Sequence, residues 1–433
     1  MSPNRRDEPS PASWTISRLR ELDELTGGHD GAKRVAWTHA WAQARSSLEE
    51  VAARSGLRIE RDRAANLWIE LPGDTDDLVV LGSHLDSVPN GGWLDGALGV
   101  WAGLAVLTEL SERQTPLPCS VALVDWADEE GARFGHSLFG SSAFVGSLEP
   151  GGISNLTDNE GTRASDVLDG WGVQLDSLIG PDPRLERIAA YLELHIEQGP
   201  ILEEAGLSVA TVDGTVGIER DRFHFTGQGA HAGPTPMNTR KDAFLAAAET
   251  ALALENLAIS ENGKATTGRV DLEPGVPTVV PGTATLYVDL RHAEAATLER
   301  MRTAAAEIAT THAEKRNVDV NRERIWSISP RAFDASLIAL AQQACEAAGA
   351  SSFTMSSGAL HDAAELADQV PTVMMFCASK AGLSHCPQED SSEEDLGLAI
   401  RAFSLLVSAV IEGNGWLGQR RNGNVDQARP TPT

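Results

Sequence analysis

Residues 82–96 read GSHLDSVPNGGWLDG and follow the apolar run Leu78-Val79-Val80-Leu81. A short apolar run closed by a turn rich in Gly, Pro and Asn is the pattern of a buried parallel strand feeding a functional loop. In open α/β sheets the ligand site lies just outside such strand ends. This loop offers one imidazole, His84, and two carboxylates, Asp86 and Asp95. That donor set suits zinc, manganese or cobalt.

Outward from the loop, strand-like runs at 78–82, 120–126 and 191–197 alternate with helical stretches near 16–26, 32–55 and 97–113. The alternation predicts an α/β fold: a mixed, mostly parallel sheet flanked by helices. Residues 214–327 change character. RDRFHFTGQG reads as a strand, KDAFLAAAETALALEN as an amphipathic helix, ATTGRVDLEP and TATLYVDLRH as strands, 295–315 as a helix and NVDVNRERIWSI as a last strand. This β-α-β-β-α-β order is the split, ferredoxin-like α+β arrangement. From about 331 the alternation returns, with a buried run VPTVMMFCAS at 370–379. The expected organisation is a discontinuous catalytic domain, 1–213 with 328–433, interrupted by an inserted domain, 214–327, with hinges near Val212–Gly214 and Ser327–Ala332. Residues 1–12 and 418–433, rich in Pro, Asn, Arg and Gly, read as frayed ends.

Composition narrows the function. The 433 residues carry a formal charge of −27, which argues against a nucleic-acid surface, because phosphate binding needs clustered Lys and Arg. Hydrophobic residues make up 42% and charged residues 22%, as in an ordinary globular protein. The N-terminus has no apolar core of a signal peptide, and the longest apolar stretch, about 96–110, is too short for a bilayer. No membrane partner is expected. Cys119, Cys345, Cys377 and Cys386 show no CxxC spacing, and free thiols fit a reducing cytoplasm.

Four later segments carry chemistry. SVALVDWADEEGARFG (120–135) is a buried strand ending in Asp128, Glu129 and Glu130. Successive side chains point oppositely in extended backbone, so one glutamate can bind metal while the other holds water as a base. A solvated acidic loop is the plainer reading. YLELHIEQGP (191–200) puts Glu193, His195 and Glu197 on one strand face, as ligands or as core and surface residues. In GQGAHAGPTPM (227–237), His231 is a candidate for transition-state stabilisation or a simple turn residue. In AGLSHCPQED (381–390), His385 follows the last buried strand, where another site residue or an ordinary loop histidine can stand.

Taken in order, His-x-Asp, a distal Asp, Glu-Glu, a strand His, a loop His in the inserted domain and a C-terminal His resemble the M20 family of dinuclear metallopeptidases and amidohydrolases. ELHIEQGP, HAGPTPM and SGALHDA look like its branch of N-carbamoyl-L-amino-acid hydrolases, β-ureidopropionases and allantoate amidohydrolases. Peptidase members usually carry a carboxylate where this chain has His195, which favours the amidohydrolase branch. The resemblance covers nearly all of residues 15–415.

The resemblance implies two divalent ions (zinc, manganese, cobalt or nickel), with Asp95 bridging them. His84 and His195 complete one ligand set, and Glu130 and His385 the other. Glu129 is the implied general base, and Asp86 orients His84. His231 is implied to stabilise the oxyanion from the lid of a partner subunit, and Arg291 to fork onto the substrate carboxylate, which guanidinium does and ammonium does not. Gln198 matches a glutamine near the substrate. His361 and Asp362 match a motif that capping of a helix by Asp362 also explains. The implied substrate is a small ureido or N-acyl carboxylate, first an N-carbamoyl-L-amino acid, then allantoate or an N-acyl amino acid or dipeptide. A non-catalytic metal- or ligand-binding relative is the remote alternative. A homodimer through the inserted domain is expected, by its sheet edge or helix face. Thr278 replaces the Asn usual in the carbamoylase pattern, Leu360 a glycine and Trp93 a smaller or basic residue, which suggests a reshaped pocket.

Overall fold

The computed structural model describes residues 10–412. The chain divides into two compact units, crossing between them at Gly214/Thr215 and Arg331/Ala332. The larger unit is built on a nine-stranded mixed sheet whose centre is parallel. Ser120–Trp126, Leu78–His84, Ile188–Ile196 and Thr372–Cys377 lie side by side there in that order. All four are buried along their whole length. The reason is visible in the alternation of side chains. Val79, Leu81, Val121 and Leu123 join one apolar cluster, while Leu78, Val80, Ala122 and Val124 join another on the opposite face. A strand with a core on both sides needs apolar residues at every position. Each such aliphatic side chain contributes about 1.5–3 kcal/mol.

Antiparallel strands flank this centre. Leu67–Leu71 and then Arg58–Arg61 extend one side, and Val209–Thr215 pairs with Thr372–Cys377 on the other. The helix Ala97–Ser111 is apolar almost all round because the sheet takes one side and the helices Pro11–Thr26 and Glu393–Ile411 take others.

Two details differ from the sequence reading. The first helix starts at Pro11, with Ser10 accepting from the Ser13 amide at 3.2 Å, so residues 10–12 are a capped helix start. The rest of the ends read as frayed, 1–9 and 418–433, lies outside the described residues. The second helix begins only at His39, capped by Thr38. Before it, residues 32–34 run against the loop after Leu78–His84: Ala32 N–H donates to Gly91 O at 2.8 Å and Ser87 N–H to Arg34 O at 3.1 Å. That pairing needs extended backbone, which overrides the helical periodicity.

The smaller unit is a four-stranded antiparallel sheet in the order Asp319–Ile328, Gly217–Thr226, Thr283–His292, Lys264–Glu273. The helices Ala243–Ser260 and Ala295–Arg316 pack against it over Phe223, Phe225, Leu286 and Leu290. This is the β-α-β-β-α-β order expected from the sequence. One addition escaped it: a two-residue ladder that pairs Ala230–His231 with Val279–Val280. Ala243–Ser260 has the length and apolarity of a membrane span, yet Ala243, Ala246, Ala247, Leu254 and Ala258 form its packing face on this sheet.

Candidate functional site

The first central strand ends at His84, and the buried helix starts at Ala97, so residues 85–96 must turn within a small space. Gly96 makes the turn possible at φ 64°: a Cβ there would lie 2.4 Å from His84 O and 2.5 Å from its ring. Asp95 is thereby set between three histidines, His84 and His195 at the ends of two central strands and His385 on the loop that follows a third. Its Oδ1 lies 3.1 Å from His195 Nε2 and 3.7 Å from His84 Nε2. Its Oδ2 lies 3.1 Å from His385 Nε2, which is in turn 3.4 Å from Glu130 Oε2. One carboxylate thus faces two donor clusters, His84–Asp95–His195 and Asp95–Glu130–His385.

The placement of the two Nδ1 atoms suits metal binding at Nε2. His84 Nδ1 lies 3.1 Å from Asp86 O and His195 Nδ1 lies 2.9 Å from Ile196 O. An Nδ1–H donated to a backbone carbonyl leaves the Nε2 lone pair facing the cluster. Glu130 Oε1 and Gln198 Oε1 are buried without a hydrogen-bond partner. Buried polar atoms without partners are costly, and a divalent ion satisfies such oxygens. The donor set therefore fits two cations.

The charges point the same way. Burial, then the neighbouring Asp95, pushes the Glu130 carboxyl up to about 7. Burial raises Glu129 well above the usual carboxylate range. Asp128, buried beside Asp86, is pushed up to about 8. His385 is raised to about 9, first by its bond to Asp95. Burial works against His84, but Glu129, Asp86 and Asp95 outweigh it and hold the imidazolium well above its ordinary range. Carboxylates crowded together in a dry pocket hold protons when no cation is there to balance them.

Several singled-out residues make contacts beyond those expected. The Asp86 carboxylate does more than face His84 Nδ1 at 3.6 Å. Its two oxygens accept the amides of Glu129 and Glu130, each at 3.2 Å, which fixes the turn carrying both glutamates. Glu129 Oε2 then sits 3.8 Å from His84 Nε2. Gln198, at φ 58°, donates from Nε2 to Asp95 Oδ2 at 2.9 Å. Glu193 shares the His195 strand face and closes a third donor group with His195 and His361. Its Oε2 already accepts from Tyr191 Oη at 3.0 Å and the Ala363 amide at 3.2 Å.

Glu197 departs from that face. It caps the helix Ile201–Ala205, accepting from Ile201 and Leu202 at 2.7 and 2.8 Å. Asp362 is no cap. His361 holds the N-cap position without a side-chain bond, and Asp362 is buried as the first helical residue. Trp93 does not open toward the donors; it packs in the helix-side core with the Arg20 guanidinium 3.8 Å over its ring. Leu360 is half-buried.

In the smaller unit, the short ladder brings His231 and Thr278 together: Ala232 N–H donates to Thr278 O at 2.9 Å, and His231 is exposed. Arg291 lies outside that ladder, on the strand Thr283–His292 of the four-stranded sheet. It is eight residues along from Thr283, about 26 Å at the usual strand rise, and pairs with Asp289 at 2.7 Å. Sequence reading missed Arg34, Ser384 and Glu389. Arg34 is fully buried and donates from Nε to Leu85 O at 2.9 Å. No motif announces Arg34 or Glu389, since Leu85 and Leu94, which they hold, lie 51 and 295 positions away in the chain.

The model of peptidase family M20/M25/M40 matches residues 80–409. The chain belongs to the M20 family. It is 34% identical over 400 residues to an N-carbamoyl-L-amino acid amidohydrolase of Geobacillus stearothermophilus, covering 92% of this chain and 98% of that protein. It is 30% identical over 388 residues to an allantoate amidohydrolase of Escherichia coli strain K12, covering 87% and 92%. Its fold is similar to a solved amidase of the hydantoinase/carbamoylase family from Burkholderia multivorans, with TM-score 0.85, 30% identity and coverage of 93% and 98%. This M20 chain is a metal-dependent amidohydrolase of the hydantoinase/carbamoylase branch.

Proposed function

We propose that this M20 amidohydrolase cleaves the ureido or amide C–N bond of a small carboxylate, first an N-carbamoyl-L-amino acid. The observation that carries the reading is the division of the Asp95 oxygens between two donor clusters, in a chain similar over almost its full length to a carbamoyl amino acid hydrolase. His84, Asp95 and His195 would hold one divalent cation, and Asp95, Glu130 and His385 the other. Mixed imidazole and carboxylate donors suit zinc, manganese, cobalt or nickel. When bound, two such ions supply Lewis acidity that lowers the pKa of a water and polarises a carbonyl.

The chain's own groups supply the rest. Glu129, buried and basic for a carboxylate, takes the water proton and delivers it to the leaving nitrogen. For a carbamoyl substrate the products are the amino acid, ammonia and carbon dioxide. His231 donates to the developing oxyanion, and Arg291 exchanges Asp289 for the substrate carboxylate in a forked contact. Gln198 and Thr278 contribute at the substrate's edge. The strand length between the His231 ladder and Arg291 favours a homodimer in which the two come from different copies of the lid. The exposed Leu252 and Ile259, 64% and 73% accessible on Ala243–Ser260, offer an apolar face for such pairing. Buried thiols at Cys119, Cys345 and Cys377, all free, fit work in a reducing cytoplasm.

Allantoate is the second reading, supported by the similarity to the E. coli relative. Ammonia release tests both, with metal-free protein reloaded with each cation and offered N-carbamoyl-L-amino acids, allantoate and N-acyl amino acids. Metal-dependent ammonia from the carbamoyl series is the expected result. Turnover confined to allantoate or an N-acyl substrate moves the substrate and keeps the chemistry. No metal-dependent turnover of any of them ends the reading.

A further inference from the structure

Glu389 lies four residues past His385 and is 2% exposed, yet it is outside the three donor clusters found among the described residues. Its oxygens are already occupied. Oε1 accepts the amides of Leu94 and Asp95 at 3.0 and 2.9 Å, and Oε2 accepts the Ser384 hydroxyl at 2.7 Å. The loop closes tightly around it: a Cβ on Gly92 would fall 2.0 Å from the Glu389 carboxyl. The same Ser384 hydroxyl lies 3.1 Å from Asp95 Oδ2. With one proton to give, Ser384 can turn wholly to Glu389 when Asp95 Oδ2 faces a cation.

Glu389 also has a buried cation for a neighbour. It is the acidic group that most offsets the burial of the Arg34 guanidinium, and Arg34 is bonded to Leu85 at the other end of the same loop. The arrangement repeats what Asp86 does for Glu129 and Glu130. Each carboxylate accepts two successive amides and so fixes the backbone beneath a donor side chain.

We propose that Glu389 is a positioning residue that couples the two halves of the metal centre, holding the Asp95 backbone and the Ser384–His385 turn with one carboxylate. The proposal rests on the two-cation reading above. His84 and His195 stand on or at the ends of central strands and keep their places without Glu389. Asp95 and His385 stand on loops, and His385 sits at φ 56°. Removing Glu389 leaves two buried amides without an acceptor. The Asp95–Glu130–His385 half is then the one that loosens.

The test titrates metal-free, full-length protein with Co²⁺, following the visible absorption of the bound ion and the metal content after dialysis. Wild type is compared with Glu389→Ala, Glu389→Asp and Glu389→Gln, and circular dichroism checks folding. Glu389→Ala should keep the tighter ion within about 3-fold and weaken the second by about 10–100-fold, the usual effect of losing a group that orients a ligand. The fall in kcat should match the loss of the second ion, with little change in KM. Glu389→Asp keeps the charge but is one methylene too short, and should behave like Glu389→Ala. Glu389→Gln still offers an amide oxygen to both N–H groups and should restore the second ion to within about 3-fold of wild type.

Should Glu389→Ala not fold, the contrast between Glu389→Asp and Glu389→Gln gives the same answer. Two-ion binding unchanged in the Ala and Asp variants overturns the proposal, and so does a Gln variant as weak as Asp. Wild type that takes up no second Co²⁺ overturns the two-cation reading and the proposal with it.

Discussion

The two units use the same charged residues in opposite ways. In the larger unit Asp86, Asp95 and Glu129 are less than a tenth exposed, and they meet histidines at the ends of strands with a core on both faces. In the smaller unit, Arg220 and Arg291 both meet Asp289, and Arg222 meets Glu323, along a sheet with one open face. Buried charges without matching partners hold protons or take cations, whereas half-exposed pairs in water are worth little and exchange readily. The contrast teaches where each kind of work can be done. A dry cluster suits tight cation binding, and an open, exchangeable pair suits a substrate carboxylate that comes and goes.

Substitutions can break that contrast, beginning with the largest effect. Asp95→Ala should release both cations, measured as metal content, and take hydrolysis to background. Two ions retained would mean that Asp95 does not bridge. Glu129→Gln should lower kcat by about 10²–10⁴-fold with metal content unchanged, since its role is proton transfer. Full activity would remove Glu129 from that role.

Changes in the smaller unit should leave the metals alone. His231→Ala should cost about 10²–10³-fold in kcat, and a change in metal stoichiometry would contradict its assignment to the oxyanion. Arg291→Lys should act chiefly on KM, raising it by about 10-fold or more as the fork is lost. A KM equal to wild type would place the carboxylate contact elsewhere.

The smallest effect is on stability against pH. Asp128, Glu130 and His385 all have folded-state values above their ordinary ones, at about 8, about 7 and about 9. Each stabilises the fold while protonated, so metal-free protein should lose thermal stability as pH rises from about 4 to about 9. Added cation should reverse the loss most strongly at the alkaline end, where the ligands are already deprotonated. A melting temperature that rises with pH in the metal-free protein would refute this sign.

Much of this was legible in the chain because it rests on local rules. The apolar runs at 78–82 and 120–126 announced strands buried on both faces, and the alternation in 214–327 gave the smaller sheet and its helices. The donor residues gathered around Asp95, namely His84, Glu130, His195 and His385, were legible through the order of their motifs. What escaped depends on contacts between distant segments. The start of the second helix was misjudged because residues 32–34 pair with the metal loop, a partner that periodicity cannot register. Glu197 looked like a site residue because it shares an alternation with His195, but the chain turns after Ile196 and sends it to a helix end.

By itself, then, the sequence determined which side chains lie near the ends of the central strands, because strand burial and turn composition are properties of short segments. Only the tertiary structure decided what holds them there. Asp86 under the two glutamates, Glu389 under Asp95 and Arg34 beneath the loop are brought together by the closing of the sheet. A hydrogen bond between residues 294 apart leaves no mark in the local pattern of either one.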